Sequence, residues 1–324
     1  MDLVLIKSMA DGEWHSGEAL ASFLGVSRTA VWKRIKALST LGLSVEAQKG
    51  LGYRLTKPLD LLDMQVMLQG RAELDSSNGV SWHLGGDVGS TNDWAFELLQ
   101  SARAADEVVV CLAECQRSGR GRRGRSWVSP FGDNLYLSLA YREPGGVAAV
   151  DGLSLVVGIS VARALERLGA SGIKLKWPND VFWGDRKLGG ILVELRGELA
   201  TDCHVVIGVG VNVHMSESAE IDQPWVSLAE CMGQAPSRSR LAGLIVGELL
   251  QVLRRYKLLG VQACLSDWST RDLLAGRVVR VEGVGLVGVG LGIAEDGAYR
   301  VQVGDEERRI RAGELSVRLG DGSV

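Results

Sequence analysis

The stretch Gly119-Arg120-Gly121-Arg122-Arg123-Gly124-Arg125-Ser126-Trp127 gathers four arginines and three glycines into seven residues and then ends on a tryptophan. We call residues 119–127 the arginine loop. Arginine carries forked N–H donors that suit phosphate oxygens, and glycine lets the backbone come close to a ligand. A loop with this much charge is expected to stay mobile until an anion neutralises it. Trp127 could stack on a base. Taken alone, the loop fits a solvated basic loop or a nucleic-acid contact as well as a phosphate site.

The composition favours a folded protein of more than one domain. The chain has 324 residues, 46% of them hydrophobic, and a formal net charge of −3. That length allows roughly two or three domains with a substantial core. Because the net charge is negative, any nucleic-acid site has to be a local basic patch. No uninterrupted apolar run approaches about 18 residues, so we expect no membrane span. Asp2, Lys7 and Asp11 interrupt the apolar start, and we expect no signal peptide.

Cysteine usage favours the cytoplasm. The five cysteines are an odd number and include no CxxC pair. This is typical of reduced, buried thiols in a reducing compartment. Cys111 and Cys115 with His83 could be metal ligands, but buried small side chains are the favoured interpretation. We therefore predict no protein-held metal site there.

The first sixty residues have the pattern of a winged helix that binds DNA. A helix over 17–25 ends at a glycine, and Ser27 is placed to cap a second helix. Residues 43–55 alternate about a glycine turn and predict a hairpin. A small helical domain that contacts proteins is the alternative, and the basic outer face favours DNA. The predicted DNA contacts are Ser27, Arg28, Thr29, Trp32, Lys33, Lys36, Lys49 and Arg54. A single such module usually binds weakly, so a dimer on a two-fold operator is expected.

The central region is predicted to be a mixed α/β domain built on a largely antiparallel sheet. Residues 61–74 are expected to form a connecting helix, and 75–79 are a break. The predicted strands are 81–84, 107–113, 134–140, 173–177, 181–183, 187–195 and 205–213. One predicted helix begins at Trp94, and two others span 151–168 and 238–259. Ser90 or Thr91 is expected to cap the first of these helices.

Several motifs in this region carry a family resemblance. In chain order they are Ser90-Thr91-Asn92, Gln116 with the arginine loop, KWPND at 176–180, RKLGGILVE at 186–194 and GVGVNV at 208–213. Together they resemble biotin protein ligases. With the winged helix, the chain is similar to the bifunctional bacterial form, which is both a ligase and the repressor of the biotin operon. The match covers nearly the whole chain, and several long motifs in order are more specific than any one of them.

The resemblance implies an α/β (α+β) protein of three modules. They are a winged helix-turn-helix at 1–60, a linker at 61–79, a central mixed-sheet domain of the biotin/lipoate ligase type at 80–271, and a C-terminal SH3-like barrel at 272–324. Short glycine-separated strands after 272 fit that barrel. The resemblance suggests that the barrel assists ATP and carrier binding. A stabilising appendage without chemistry is the alternative.

The resemblance also implies a reaction. Such enzymes join biotin to ATP, give biotinoyl-5′-adenylate and pyrophosphate, and then pass biotin to a lysine of biotin carboxyl carrier protein. Mg²⁺ is expected with ATP, and no carboxylate cluster predicts a protein-held metal. The residues implied for biotin are Ser90, Thr91, Asn92, Gln116, Arg120, Gly121, Arg122, Lys187, Gly189 and Gly190. Those implied for ATP or the adenylate are Arg122, Arg123, Arg125, Trp127, Asn179 and Asn212.

The implied catalytic residues are Lys187, Arg122, Arg120, Lys176 and Asp180. Arginine and lysine can neutralise charge at the α-phosphate while one anion attacks another. Asp180 is hypothesised to orient or deprotonate the acceptor lysine. A structural ion pair between Lys176 and Asp180 is the alternative.

The leading interpretation is an enzyme that is also a switch. Adenylate binding would order the loops, promote a homodimer and present two winged helices to an operator. By resemblance, sheet edges of the central domains pair in the dimer, with the arginine loop and residues near 144–150 and 197–203 close by. The alternatives are a ligase whose winged helix no longer regulates, a biotin-sensing repressor without ligase activity, and a related lipoate or octanoate transferase.

Overall fold

The structure of the chain is a computed structural model. It describes residues 2–311 and 316–319, apart from 76, 78, 103, 105, 145, 147–149 and 199–201. Parts of the predicted dimer segments near 144–150 and 197–203 therefore lie outside the described residues. In the part that is described, no helix is long and apolar enough to cross a membrane.

The N-terminal module is the predicted winged helix. Its elements are α1 (Leu3–Met9), α2 (Gly17–Leu24), α3 (Arg28–Leu38), β1 (Val45–Gln48) and β2 (Gly52–Leu55). Gly25 ends α2 at φ 63°, a left-handed conformation that glycine adopts without a Cβ clash. The Ser27 side chain accepts a hydrogen bond from the N–H of Ala30, which confirms the predicted cap. Val31, Ile35 and Leu38 are buried on the inner face of α3.

The predicted linker contains a helix that packs into the central module. Helix α4 spans Met64–Ala72, and its Met67 is fully buried in the main core. A Cβ placed at Gly243 on the helix Arg238–Leu259 would lie 2.2 Å from the Met67 carbonyl oxygen, so the two helices need glycine where they touch. Residues 64–72 are thus a packed part of the core and not an extended connector.

The central module is a seven-stranded sheet. Its strands are β3 (Val80–Val88), β4 (Val108–Gln116), β5 (Asn134–Glu143), β6 (Ile173–Lys176), β7 (Asp180–Trp183), β8 (Arg186–Glu198) and β9 (Asp202–Asn212). They lie in the order β3-β4-β5-β9-β8-β7-β6. Only β3 and β4 pair in parallel among these neighbours, which agrees with the predicted largely antiparallel sheet.

Helices cover the two faces of this sheet unequally. They are α5 (Thr91–Ser101), α6 (Leu153–Arg167), α7 (Leu228–Met232), α8 (Arg238–Leu259) and α9 (Leu265–Ser269). The long helices α6 and α8 lie in the main core on one face. On the other face α5 packs Ala95 and Leu99 on Val109, Ala140 and Val206. Because α5 covers only that end of its face, the rest of the face stays open for a cleft.

Three local predictions at the start of the central domain differ from the structure. The first strand of the domain continues to Val88, beyond the predicted Leu84, and α5 begins at Thr91 rather than Trp94. Ser90 occupies the predicted N-cap position, but its side chain makes no capping hydrogen bond.

The C-terminal module is a five-stranded antiparallel sheet. Its strands are β10 (Val278–Glu282), β11 (Leu286–Ile293), β12 (Tyr299–Val303), β13 (Glu306–Ile310) and β14 (Ser316–Leu319). The order is β13-β12-β11-β10-β14, and no pairing within the described residues joins β13 to β14. The described sheet is open, so a closed barrel is not confirmed. Its buried Val279, Val281 and Tyr299 belong to the same core as the central sheet.

The winged helix and the central module share buried contacts. Phe131 and Cys115 are packed in the hydrophobic core of the winged helix. Lys57 forms a 2.5 Å ion pair with Asp133, two residues after Phe131. The segment that follows the arginine loop is therefore seated directly on the DNA-binding module.

A buried ion pair holds the chain between the two modules. Arg238 is fully buried, and its guanidinium lies 2.6 Å from the carboxylate of Glu114. The same guanidinium donates to the carbonyl of Asp60, and Glu114 accepts the N–H of Leu62 at 2.8 Å. A buried ion pair satisfied by extra hydrogen bonds is costly to break from one side only.

Candidate active site

An open cleft lies on the face of the central sheet that α5 leaves bare. Its lining comes from the arginine loop, the start of α5, the turn between β6 and β7, and the middle of β8 and β9. Most of the predicted ligand residues line it, namely Ser90, Thr91, Asn92, Gln116, Arg120, Gly121, Arg122, Arg123, Arg125, Trp127, Lys176, Asn179, Asp180, Lys187 and Gly190. Residues separated by about a hundred positions in the sequence thus meet in one cleft.

Two predicted residues lie outside that lining. Gly189 faces the neighbouring strand, where an added Cβ would lie 2.8 Å from the carbonyl oxygen of Gly210. Asn212 is buried, and its side-chain amide donates to the carbonyl of Val226 at 3.1 Å. This hydrogen bond fixes the chain at Val226, and the contact of Asn212 with adenine stays a prediction.

The arginine loop folds back on itself. Gly121 donates its N–H to the carbonyl of Arg125 at 2.7 Å, and Trp127 donates its N–H to the carbonyl of Gly119 at 2.9 Å. Arg123 takes a left-handed conformation, with φ 57°, at the tip of this turn. That conformation is unfavourable for a residue with a side chain, so the loop stores backbone strain beside the cleft.

Arg120 is held by carboxylates of the protein. Its guanidinium forms a bidentate pair with Asp93 at 2.7 and 2.8 Å, and Arg196 lies 2.5 Å from the same carboxylate. Glu194 lies 3.6 Å from both arginines. The hydrogen bond from Arg120 lowers the pKa of Asp93 to about 2. Arg120 is therefore anchored at the base of the loop.

The cationic part of the cleft centres on Lys187 and Arg122. The Nζ atom of Lys187 lies 2.8 Å from the carboxylate of Asp180. Arg122 donates to the side-chain oxygen of Asn179 at 3.3 Å. Burial lowers the pKa of the Arg122 guanidinium, and the charge of Arg123 lowers it further. A cation held in a desolvated site binds an incoming anion strongly.

Asp180 lies between two lysines of the cleft. It lies opposite Lys176 in the β6–β7 pair, and its carboxylate forms an ion pair with Lys187 at 2.8 Å. The Nζ atom of Lys176 lies 5.5 Å from the ring centre of Phe182.

Trp127 rests on a glycine surface of the sheet. A Cβ built at Gly210 would lie 2.6 Å from the indole, and one built at Gly190 would lie 3.2 Å from it. Both positions require glycine for the ring to approach. The indole N–H is buried and has no hydrogen-bond partner among the described residues. Gly190 was predicted to contact biotin, whereas Gly210 was given no role. The alternation of glycine and valine at 208–213 was a signal that this strand lacks side chains on one face.

A chain of polar side chains runs through the opposite part of the cleft. Gln116 accepts the backbone N–H of Thr91 at 2.9 Å, and the Thr91 hydroxyl lies 2.8 Å from that of Ser138. Ser138 in turn lies 2.6 Å from Asn92, whose amide donates to Glu194 at 2.6 Å. Ser138 and Glu194 were not predicted from the sequence. A serine with no exposed surface in the middle of an apolar strand was the available signal.

Most of the predicted DNA contacts are exposed on the winged helix. Seven of the eight are exposed, namely Ser27, Arg28, Thr29, Trp32, Lys33, Lys36 and Lys49. The ammonium of Lys36 lies 4.1 Å from the ring centre of Trp32. Arg54 is half-buried, is paired with Glu46 at 2.8 Å and stacks on Trp14. Arg54 is thus partly neutralised by the wing itself.

Comparisons with known proteins agree with this fold and this cleft. Residues 85–212 match the model of the biotin/lipoate A/B protein ligase family, and residues 2–54 match an HTH domain. The structure is similar to the biotin protein ligase of Aquifex aeolicus in complex with biotin and ATP, with a TM-score of 0.65 and 28% identity over 75% of this chain and 100% of that one. The fold and cleft thus define a biotin/lipoate ligase domain joined to a DNA-binding module.

Whole-length relatives narrow the class. The chain is 39% identical to the bifunctional ligase/repressor BirA of Salmonella typhimurium and to that of Escherichia coli, in each case over 98% of both chains. It is 32% identical to the biotin–[acetyl-CoA-carboxylase] ligase of Mycobacterium tuberculosis over 81% of this chain and 97% of that one. The protein belongs to the bifunctional ligase/repressor family.

Proposed function

We propose that this protein activates biotin with ATP and transfers it to a lysine of biotin carboxyl carrier protein. The observation that carries the proposal is the division of the cleft. One part is a neutral polar chain that includes Thr91 and Gln116, and the other is cationic, with Lys187 and Arg122. Biotin has the matching halves, which are a neutral cyclic urea and a carboxylate.

In the first step, an oxygen of the biotin carboxylate attacks the α-phosphorus of ATP. The bond from that phosphorus to the bridging oxygen breaks, and pyrophosphate leaves with the electron pair. Two anions approach each other in this step, so cations are needed at the point where they meet. Lys187 and Arg122 supply them from the lining of the cleft. ATP is expected to arrive as its Mg²⁺ complex, since Asp180 is already engaged by Lys187.

In the second step, the amine of the carrier lysine attacks the carbonyl carbon of the mixed anhydride. The bond from that carbon to the phosphate oxygen breaks, AMP leaves, and the nitrogen loses a proton. Lys187 exchanges Asp180 for the adenylate phosphate when the adenylate forms. Asp180 is then available to hold the incoming ammonium and accept its proton.

Incorporation of labelled biotin into a carrier domain tests this function. With ATP and Mg²⁺, the wild type should transfer the label, and Lys187→Ala should reduce transfer by about 10²-fold or more. Transfer that survives in Lys187→Ala would keep the ligase and remove Lys187 from its central role. A folded wild type that binds biotin without transferring it would instead be a biotin-sensing repressor.

We also propose that the protein represses the biotin operon as a homodimer promoted by biotinoyl-5′-adenylate. The exposed basic face of α3 and the seating of Phe131 in the winged helix support this. Sedimentation equilibrium with and without adenylate is the test, and unchanged self-association would remove the link.

Two further properties are proposed, namely the shape of the C-terminal sheet and the location of the protein. The C-terminal sheet is proposed to be an SH3-like barrel, which its short antiparallel strands support. A cytoplasmic location is supported by the free cysteines at 111, 115, 203, 231 and 264.

A further inference from the structure

The polar chain in the cleft has its orientation fixed at both ends. Gln116 donates its amide nitrogen to Ser129 at 3.2 Å, so its oxygen faces Thr91. An ionised carboxylate accepts hydrogen bonds only, so Asn92 must turn its nitrogen toward Glu194, and its oxygen faces Ser138. The chain therefore begins and ends on an amide oxygen.

Three short contacts connect these two oxygens. Thr91 Oγ1 lies 3.0 Å from Gln116 Oε1, the two hydroxyl oxygens lie 2.8 Å apart, and Ser138 Oγ lies 2.6 Å from Asn92 Oδ1. Each contact needs one hydrogen, and the two hydroxyl groups supply one each. The chain is one hydrogen short. Thr91, Asn92 and Ser138 are buried and Gln116 is partly buried, so the missing donor has to come from the cleft that Thr91 and Gln116 line.

The missing hydrogen concerns Thr91. The contact of 2.6 Å takes the Ser138 hydrogen, because Asn92 Oδ1 has none to give. The Thr91 hydroxyl donates to Gln116 Oε1 at 3.0 Å, so its own contact with Ser138, at 2.8 Å, is left without a hydrogen. A ligand N–H that binds at Gln116 Oε1 frees the Thr91 hydrogen for Ser138 and completes the chain, and Thr91 and Gln116 both line the cleft.

We infer that Glu194 and Asn92 are specificity-determining positioning residues that make this part of the cleft selective for a ligand N–H. A single N–H that binds at Gln116 Oε1 supplies the hydrogen that the chain lacks. The inference rests on the proposed function, in which that donor is a ureido N–H of biotin. A site with buried acceptors discriminates strongly against an analogue that lacks the donor.

The residues act through hydrogen-bond polarity, which predicts the effect of Glu194→Gln. A glutamine can donate as well as accept, so Asn92 is free to turn and give its nitrogen to Ser138. The Ser138 hydrogen then goes to Thr91, and that of Thr91 goes to Gln116. All three contacts are filled without a ligand, and the ligand N–H gains less by binding.

The test compares the affinity of biotin with those of its two mono-N-methylated ureido derivatives, by calorimetry on the full chain. Methylation of one of the two nitrogens is expected to weaken binding to the wild type more than methylation of the other. Against the derivative methylated at that nitrogen, Glu194→Gln should reduce the preference for biotin by about tenfold, or about 1.4 kcal/mol. Ser138→Ala should reduce it too, since the Thr91 hydrogen then goes to Gln116. It serves as the second variant if Glu194→Gln does not fold.

Two further variants distinguish an effect of hydrogen-bond direction on the preference from an effect of charge. Asp93→Asn removes a carboxylate from the same two arginines, and it should leave the preference unchanged even if the affinity falls. Adding Asn92→Asp to Glu194→Gln restores an acceptor beside Ser138, and it should restore the preference.

An unchanged preference in Glu194→Gln, or an equal loss in Asp93→Asn, would overturn the inference. Equal binding of all three ligands by the wild type would overturn it while leaving the ligase in place. Failure of the wild type to bind biotin would overturn the proposed function as well.

Discussion

The Oδ1 atom of Asp180 lies 2.8 Å from the Nζ atom of Lys187, and 21% and 14% of the two side chains are exposed. The pair places a carboxylate and the main cation of the cleft within one hydrogen bond of each other. In the proposed mechanism, a phosphate that draws Lys187 away leaves Asp180 beside the newly formed acyl group.

Asp180→Asn is accordingly expected to separate the two half-reactions. Transfer from preformed biotinoyl-5′-adenylate should slow by about 10²-fold, the lower range for loss of a general base, while adenylate formation slows much less. Single-turnover measurements of pyrophosphate release and of carrier labelling give the two rates. Equal effects on both would mean that Asp180 only positions Lys187.

Trp127 rests on Gly190 and Gly210, and Gly190 is a position that biotin is expected to use. The ring must leave this surface before biotin enters. The apparent affinity for biotin is therefore the intrinsic affinity multiplied by the fraction of protein in which the ring has moved away. Trp127→Ala should therefore bind biotin alone a few-fold more tightly and bind ATP more weakly, because it loses adenine stacking. Calorimetry with each ligand measures both, and Trp183→Ala outside the cleft is the matched control. Weaker binding of biotin by Trp127→Ala would contradict the idea.

Asp93 should stabilise the fold in a pH-dependent way. Its pKa is lowered to about 2 by Arg120, so the stabilisation is present above the ordinary pKa of an aspartate near 3.8 and is lost as the pH falls toward 2. The side chain is 38% exposed, so about 1 kcal/mol is expected after solvent screening. Asp93→Asn should lower the free energy of unfolding by that amount at pH 7 and by less at pH 3. Urea titrations at both pH values measure it, with the surface variant Glu230→Gln as control.

Lys49→Ala should weaken DNA binding without changing its sequence preference. An exposed lysine on the wing is expected to meet phosphate, so its loss should reduce the slope of log affinity against log salt by about one. Fluorescence anisotropy on operator and unrelated duplexes at several salt concentrations gives that slope. Lys257→Ala on α8, paired with Glu143, should behave as the wild type. A changed sequence preference would indicate a contact with a base.

Local patterns predicted the elements better than the site. The helix-turn-helix follows from Gly25 and the Ser27 cap, which lie within a few residues of what they control. The polar chain could not be predicted in this way, because Ser138 and Asn92 are 46 positions apart and Asn92 and Glu194 are 102 apart. Such pairs meet only when the sheet order is known. Closure of the C-terminal sheet into the proposed barrel depends in the same way on pairing between strands that are distant in the sequence, and the described pairings leave the sheet open.

Because the winged helix and the central module share buried contacts, the ligase domain is not an independent unit from which the DNA-binding module can be removed without damage. Deleting residues 1–60 would expose Phe131 and Cys115 and would take the Asp60 carbonyl away from Arg238. A shortened enzyme would therefore be a damaged one, and its lost activity would say nothing about DNA. Regulation is better removed by changing the exposed face of α3. Because of these contacts, a related chain that lost repression during evolution would be expected to keep its winged helix as a structural part of the enzyme.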